Sequence, residues 1–142
     1  MPHIAVDSNV LIGYRLARDQ YHDRATSIVR GIDTGDLPTG IVTDFCVAET
    51  LNIIGERAGH EAGVSLLDAL IESRGFELVR TTRAEFSTEQ SIYRRHEPLT
   101  FVDAITVATM RRRNVGFVYS FDTDFDAVPG ITRLDSDDDP YA

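Results

Sequence analysis

Apolar residues along this chain fall into two alternating patterns, short continuous runs and longer stretches that repeat at helical spacing. His3 to Val6 is a run suited to a buried strand, and Ser8 follows as the expected cap of a helix carrying Val10, Leu11 and Tyr14. Tyr21 to Ile32 reads as a second helix, closed by the turn-forming cluster Asp33 to Pro38. Gly40 to Thr43 is a brief strand. Asp44 is then expected to cap a helix with Phe45, Ala48, Leu51, Asn52 and Ile53 at helical spacing, ending near Gly59. A helix from about Glu61 to Arg74 offers Val64, Leu67, Ala69, Leu70 and Ile71 for its inner face.

Phe76 to Arg80 reads as a strand, and Arg83 to His96 as a polar amphipathic helix stopped by Pro98. Thr100 is placed to cap a more apolar helix bearing Phe101, Ala104, Ile105, Val107, Ala108 and Met110 ahead of Arg111 to Arg113. Val115 to Phe121 is the strongest strand pattern, Ile131 to Leu134 a short edge strand, and Asp135 to Ala142 an acidic tail expected to fray. Strands alternating with helices of this length predict one α/β domain over residues 1–134, with a parallel sheet covered on both faces.

Composition narrows the chemistry. The chain has 142 residues and a net charge of −9, from 14 basic and 23 acidic side chains. All the basic residues are arginine, so Schiff-base chemistry and lysine-dependent phosphate sites are excluded. The acid-rich, lysine-free balance resembles that of proteins from salt-loving organisms or GC-rich genomes. One cysteine, Cys46, excludes an internal disulfide and a cysteine-based zinc cluster, and it reads as a small core residue. No run approaches the ~18 apolar residues of a membrane span, and the first residues lack a basic leader, so a cytoplasmic location is expected. His3, His22, His60 and His96 are scattered and carry no catalytic assignment.

Four acids stand where burial disfavours acids. Asp7 ends Ile4-Ala5-Val6 and Asp122 closes Phe117-Val118-Tyr119-Ser120-Phe121, so both belong at the carboxyl end of a strand. In an open α/β sheet that edge is where ligands bind. Glu49 is four residues from both Phe45 and Ile53, and Asp103 four from both Leu99 and Val107, which places each on an apolar helical stripe. Singly, the first pair are ordinary strand-end caps and the second pair boundary residues reaching water. If the two strand ends and two helices bring the four together, the charges cannot all stay ionised without a cation, which here means arginine or a metal. Carboxylates without histidine or cysteine at ligand spacing suit Mg²⁺ or Mn²⁺. Those ions serve phosphodiester hydrolysis, and which carboxylate takes the attacking water's proton is left open by the spacing.

At these residues the sequence resembles the PIN domain family, the nuclease fold of VapC-type toxins of type II toxin–antitoxin systems. The resemblance rests on Ile4-Ala5-Val6-Asp7-Ser8-Asn9-Val10-Leu11, Glu49 within Val47-Ala48-Glu49-Thr50-Leu51, Leu99-Thr100-Phe101-Val102-Asp103-Ala104, and Tyr119-Ser120-Phe121-Asp122-Thr123-Asp124-Phe125. It implies a three-layer α/β/α sandwich with a central parallel sheet, dependence on Mg²⁺ or Mn²⁺, and hydrolysis of single-stranded RNA. It also implies Asp7, Glu49, Asp103 and Asp122 as the acidic quartet, with Asp7 and Asp103 as direct metal ligands. Ser8, Asn9 and Ser120 become supporting groups that orient them. Asp124 competes with Asp122 for the fourth place. A calcium loop at Asp122, Asp124 and Asp126 fails because Ala127 replaces the required glycine and Arg133 the closing glutamate.

Removing the four tail aspartates leaves −5, and the quartet accounts for most of that remainder. Arg111, Arg112 and Arg113, with Arg94-Arg95, are then the candidate RNA phosphate contacts, although arginines in a last helical turn also simply complement the dipole. Surplus apolar positions in Tyr14 to Ile32 and Val47 to Leu70 suit a homodimer interface or a groove for an antitoxin helix, as well as ordinary core packing. The expected function is therefore a toxin-type ribonuclease. The alternatives are an RNA-processing nuclease without an antitoxin, and a module that binds RNA or protein without cutting, against which the complete quartet counts.

Overall fold

The computed structural model describes residues 2–142, with Met1 outside them. Among these residues the apolar runs form five strands: β1 (His3–Val6), β2 (Thr39–Thr43), β3 (Phe76–Val79), β4 (Phe117–Tyr119) and β5 (Thr132–Leu134). The helical stretches form α1 (Ser8–Arg15), α2 (His22–Thr34), α3 (Asp44–Ala58), α4 (His60–Glu72), α5 (Arg83–Arg95) and α6 (Phe101–Arg112). The sheet is parallel throughout, in the order β3-β2-β1-β4-β5. Parallel neighbours need long crossovers, which the intervening helices supply.

Alternation along β1 builds two cores. Ile4 and Val6 face one side, where α1 to α4 bring Leu11, Ile28, Ile32, Ile54 and Leu66. Ala5 faces the other, where α5 and α6 bring Ile92, Ala104, Val107 and Met110. The expected α/β/α sandwich is the fold. Strand β1 pairs with β2 on one side and β4 on the other, so the order of strand addition reverses at its carboxyl end. Such a switch point opens a crevice between the loops that leave the two strands. Among the described residues no helix is long and apolar enough to cross a membrane.

Several local expectations shift, each for a visible reason. Strand β4 is shorter than Val115 to Phe121 because the Phe121 amide bonds the Asn9 side chain at 3.3 Å and its ring stacks on Tyr21 at 4.4 Å. In α4 the buried face is Ala62, Gly63, Leu66 and Leu70, while Val64 and Ile71 point outward at 42% and 62% exposure. This stripe packs on α3, where even a methyl on Gly63 would meet the Leu51 carbonyl at an ordinary contact distance of 3.8 Å. In α3 the inner face is Cys46, Thr50 and Ile54 rather than the row beginning at Phe45. Asp7, not Ser8, caps α1, and Thr43, not Asp44, caps α3. Asp44 instead accepts bonds from the Thr81 amide (3.2 Å) and hydroxyl (2.6 Å), tying the start of α3 to the loop after β3. Residues 135–142 form no regular element, yet Tyr119 donates its hydroxyl hydrogen to the Asp138 carbonyl (2.7 Å) and Tyr141 donates to that of His3 (2.8 Å).

Gly75 sets the seat of β3 beside β2. A methyl there would lie 1.9 Å from the Ile32 carbonyl oxygen, a backbone atom at the end of α2 that cannot move alone. Gly75→Ala is expected to cost about 1–3 kcal/mol. Urea unfolding checks this, and a loss below ~0.5 kcal/mol would show that the α2–β3 contact is looser than its geometry implies.

Candidate active site

The crevice at the switch point is lined with acids held by short local devices. The Asp7 amide donates to the Tyr119 carbonyl at 3.0 Å, continuing the β1–β4 ladder one residue past the strand and fixing Asp7 on the sheet edge. Its side chain is 3% exposed; Oδ1 accepts from the Ser8 amide at 2.8 Å and Oδ2 from the Ser120 hydroxyl at 2.7 Å. Ser120 is fully buried and acts as a junction, since its oxygen also accepts from the Asp122 amide (3.0 Å) and the Asn9 amide group (3.4 Å). Ser8 donates its hydroxyl hydrogen to Glu49 Oε1 at 2.5 Å, joining the start of α1 to the middle of α3.

Asp103 enters from the opposite helical layer. It is the third residue of α6, and its carboxylate accepts from the Thr100 amide at 3.3 Å while Thr100 Oγ1 accepts from the Asp103 amide at 3.1 Å. This reciprocal capping box explains how an acid tolerates 5% exposure on an otherwise apolar helix. Asp122 caps the 3₁₀ turn Thr123–Ala127, accepting from the Asp124 amide at 2.9 Å.

Electrostatics show that these groups share one field. Burial above all, and then the charge of Asp103, pushes the Asp7 carboxyl up from 3.8 to about 7, against the Ser120 and Ser8 hydrogen bonds; Asp122 adds a smaller push. Burial also raises Asp103 to about 6, with the Thr100 bonds opposing and the charges of Asp122 and Glu49 assisting. Asp122, rather than Asp124, is thus the acid whose charge reaches both. Asp124 is raised chiefly through its hydrogen bond to Asp122 and that residue's charge. Cys46, in the wall behind, is pushed up to about 12 by burial and by Asp7, and remains a protonated, inert thiol.

Among the described residues, none of the four acids has an arginine within ion-pairing distance. Arg133 stands behind the site, donating to the Ser120 carbonyl at 3.2 Å and paired with Asp126 at 3.1 Å. Nor do any three acids among the described residues close on one point as they stand. Glu49, Asp122 and Asp103 are each turned toward a protein donor instead.

The arginine cluster is not brought here. Arg112 pairs with Glu85 at 2.9 Å and Arg113 with Glu77 at 2.5 Å, and Arg111 is exposed. They end α6, whereas Asp103 begins it, roughly 13 Å away along the axis. The sequence reading also passed over a row of rings beside the site: Phe45, Phe86, Phe101 and Tyr93. Its signal is the pair Phe86 and Tyr93, seven residues apart on a helix whose buried apolar residue is Ile92.

Comparison with known proteins agrees with this architecture. Residues 4–131 match the PIN domain model. The structure of the Mycobacterium tuberculosis toxin VapC20, described as cleaving the sarcin–ricin loop, superposes with a TM-score of 0.77 at 25% identity, covering 87% of this chain and 93% of that one. A toxin–antitoxin complex from Klebsiella pneumoniae superposes at 0.64 with 15% identity over 91% and 95% of the two chains. DNA-bound VapBC from Salmonella typhimurium does so at 0.69 with 13% identity over 94% and 98%. No curated protein matches the sequence. With the family pattern spanning β1 to the threshold of β5, and VapC-type toxins as structural neighbours, the chain belongs to the PIN domain family.

Proposed function

We propose that the protein is a metal-dependent ribonuclease that hydrolyses single-stranded RNA as the toxin of a type II toxin–antitoxin pair. One observation carries the reading: two carboxylates, Asp7 and Asp103, are buried in one crevice where burial first, then the charge of Asp103 and Asp122 on Asp7 and of Asp122 and Glu49 on Asp103, raises their proton affinity, and among the described residues no arginine pairs with any of the four. An all-oxygen donor set of this charge fits Mg²⁺ or Mn²⁺. Asp7 and Asp103 would hold the ion, with Glu49 and Asp122 completing its surroundings after a turn of their side chains. When bound, such an ion supplies charge stabilisation for the phosphodiester transition state and makes water easier to deprotonate.

The protein's own groups provide the positioning. Ser120 and the Ser8 amide hold both Asp7 oxygens, so the carboxylate keeps one orientation. Thr100 does the same for one Asp103 oxygen, and Asn9 locks Ser120 to the start of the Asp122 turn. Glu49 and Asp122 are half-buried and stand where solvent reaches the cluster, so one of them would be the acceptor for a proton released from an attacking water. The toxin assignment is supported by the VapC20 and toxin–antitoxin neighbours. Val64 and Ile71, exposed on the outer side of α4 among Glu61, Asp68 and Glu72, are apolar positions that a partner would cover.

Cleavage of single-stranded RNA with Mg²⁺ or Mn²⁺ tests the reading. Asp7→Asn and Asp103→Asn are each expected to lose on the order of 10²-fold or more in rate, and expression of the wild type, but not of Asp7→Asn, to arrest growth. Unchanged cleavage in both variants would sink the site. Asp122→Asn should lose a comparable factor, while Asp124→Asn keeps most activity; the reverse order would transfer the fourth acid to Asp124.

Stability gives an independent check. The folded-state pKa values of Asp7 and Asp103, about 7 and about 6, lie above the ordinary 3.8, so between these values the folded protein binds more protons than the unfolded one. This contribution to stability is complete below pH ~4 and lost as pH rises through the folded values. The metal-free melting temperature should therefore contain a component that falls from pH 4 to 7. At pH 8 Asp7→Asn should be more stable than the wild type, on the order of 2 kcal/mol. Millimolar Mn²⁺ should raise the wild-type melting temperature and leave the Asp7→Asn/Asp103→Asn double variant unmoved. Equal response of both proteins would remove the cation from the cluster.

A further inference from the structure

Three strands deliver an aspartate to the carboxyl edge of the sheet: Asp7 follows β1, Asp122 lies beyond β4, and Asp135 follows β5. The third has different partners from the other two. The Ser120 amide donates to the Leu134 carbonyl at 3.0 Å, which extends the β4–β5 ladder by one step and sets Asp135 beside the residue that holds Asp7. One oxygen of the Asp135 carboxylate, Oδ2, lies 3.5 Å from Nη1 of Arg24 and 3.9 Å from Nη1 of Arg133. Guanidinium groups from two separate elements, α2 and β5, thus converge on a single anionic oxygen.

Both arginines are tied to the turn that carries Asp122. Arg133 donates to the Ser120 carbonyl at 3.2 Å and forks onto Asp126 at 3.1 and 3.2 Å, which holds its side chain in place at 15% exposure. Arg24 lies over the Tyr21 ring at 5.9 Å, and Tyr21 stacks on Phe121 at 4.4 Å with planes 11° apart. Phe121 separates Ser120 from Asp122, so this layering sets Arg24 against the same short segment. Asp135 is the one carboxylate within 4 Å of Arg24 among the described residues.

A carboxylate shared by two arginines occupies the position of a phosphate. A phosphodiester brings the same single charge on two free oxygens, and guanidinium forks take either group. The Arg24–Asp135 pair is exposed at 55% and 54%, and exposed ion pairs hold weakly, so a polyanion displaces it at small cost. The tail stays anchored when Asp135 lets go, because Tyr119 grips the Asp138 carbonyl and Tyr141 the His3 carbonyl further along. The arginines that end α6 do not take this role, since Arg112 and Arg113 are bound to Glu85 and Glu77.

We propose that Arg24 and Arg133 form a binding site for one backbone phosphate of the RNA, next to the scissile one, and that Asp135 fills it in the free protein as an internal mimic of that phosphate. Ser120 couples the two places, with its hydroxyl on Asp7 and its carbonyl on Arg133. The proposal rests on the nuclease reading of the acids and adds a contact that aligns the strand and a tail that competes with it.

Binding of a labelled single-stranded RNA of mixed sequence is measured in the Asp7→Asn background, where cleavage is suppressed. Asp135→Asn should tighten binding roughly 2- to 5-fold, the worth of an exposed ion pair. Asp137→Asn, the same change of charge two residues along the tail, should leave it unchanged. Arg24→Gln should weaken binding roughly 5- to 50-fold and reduce the slope of log Kd against log salt by roughly 0.7, one phosphate on a single strand. Arg24→Lys should keep the slope, and Arg74→Gln, at the amino edge of the sheet, should not alter it. In the Arg24→Gln background most of the gain from Asp135→Asn should disappear. RNA that fails to bind, equal affinity of the Asp135 and Asp137 variants, or an unchanged slope in Arg24→Gln overturns the site. A gain from Asp135→Asn that persists in full without Arg24 reports general repulsion and overturns it too, as does a lowered melting temperature with no change in affinity. Cleavage in the Asp7 background of the wild type separates the two readings, with KM expected to rise and kcat to hold in Arg24→Gln. RNA bound with this pattern of variants but never cut defeats the nuclease and leaves the phosphate site, whereas RNA cut with KM unchanged in Arg24→Gln defeats the phosphate site alone.

Discussion

The burial of Asp7 next to the charge of Asp103 is the constraint around which this molecule is arranged. Two carboxylates in a low-dielectric crevice resist ionisation, and the shift of Asp7 to about 7 expresses that resistance. A folded chain tolerates such a pair only if other terms offset it. Here the Ser8 amide, the Ser120 hydroxyl and the Thr100 capping box provide partial compensation without a full positive charge. These bonds compensate the pair only in part, and protonation or a bound cation would complete the compensation.

Topology decides where the pair sits. The chain adds strands to one side of β1 and later to the other, so the ends of β1 and β4 part around a crevice. Asp7 leaves one strand and Asp122 follows the other. Helix α6 comes down over the same crevice with Asp103 in its first turn and its arginines in its last, so one helix carries opposite charges to opposite edges of the sheet. Each end suits the helix dipole, and the separation keeps arginine away from the acids it would otherwise neutralise.

The structural neighbours put this division in perspective. VapC20 retains the fold at a TM-score of 0.77 with a quarter of its aligned residues shared. Packing of apolar strands and helices can be satisfied by many side chains of suitable size. The first turn after β1, the capping box of α6 and the serine junction after β4 are more exacting, because each positions a charged oxygen through a particular donor. The aromatic row is of a different kind: it belongs to surfaces of α3, α5 and α6 that the sandwich does not require to be aromatic.

Much of this was legible in the amino-acid order. The alternation of apolar runs with helical spacing determines the sandwich, and the acids that interrupt those patterns mark Asp7, Glu49, Asp103 and Asp122 as residues out of keeping with their surroundings. Periodicity identifies helices but not which of two apolar stripes turns inward. Hence Ala62, Gly63 and Leu66 join the expected Leu70 on the inner face of α4 in place of Val64 and Ile71, and Thr50 and Ile54 line up with the expected core residue Cys46 on α3, a choice that depends on how the neighbouring elements pack. Local sequence likewise cannot show that Ser120 joins Asp7 to Asp122, that Arg112 and Arg113 are bound to Glu85 and Glu77, or that rings on three helices meet. Those are relations between residues far apart along the chain, created only when the crossovers close, and they decide which charges compensate one another and which are left facing the crevice.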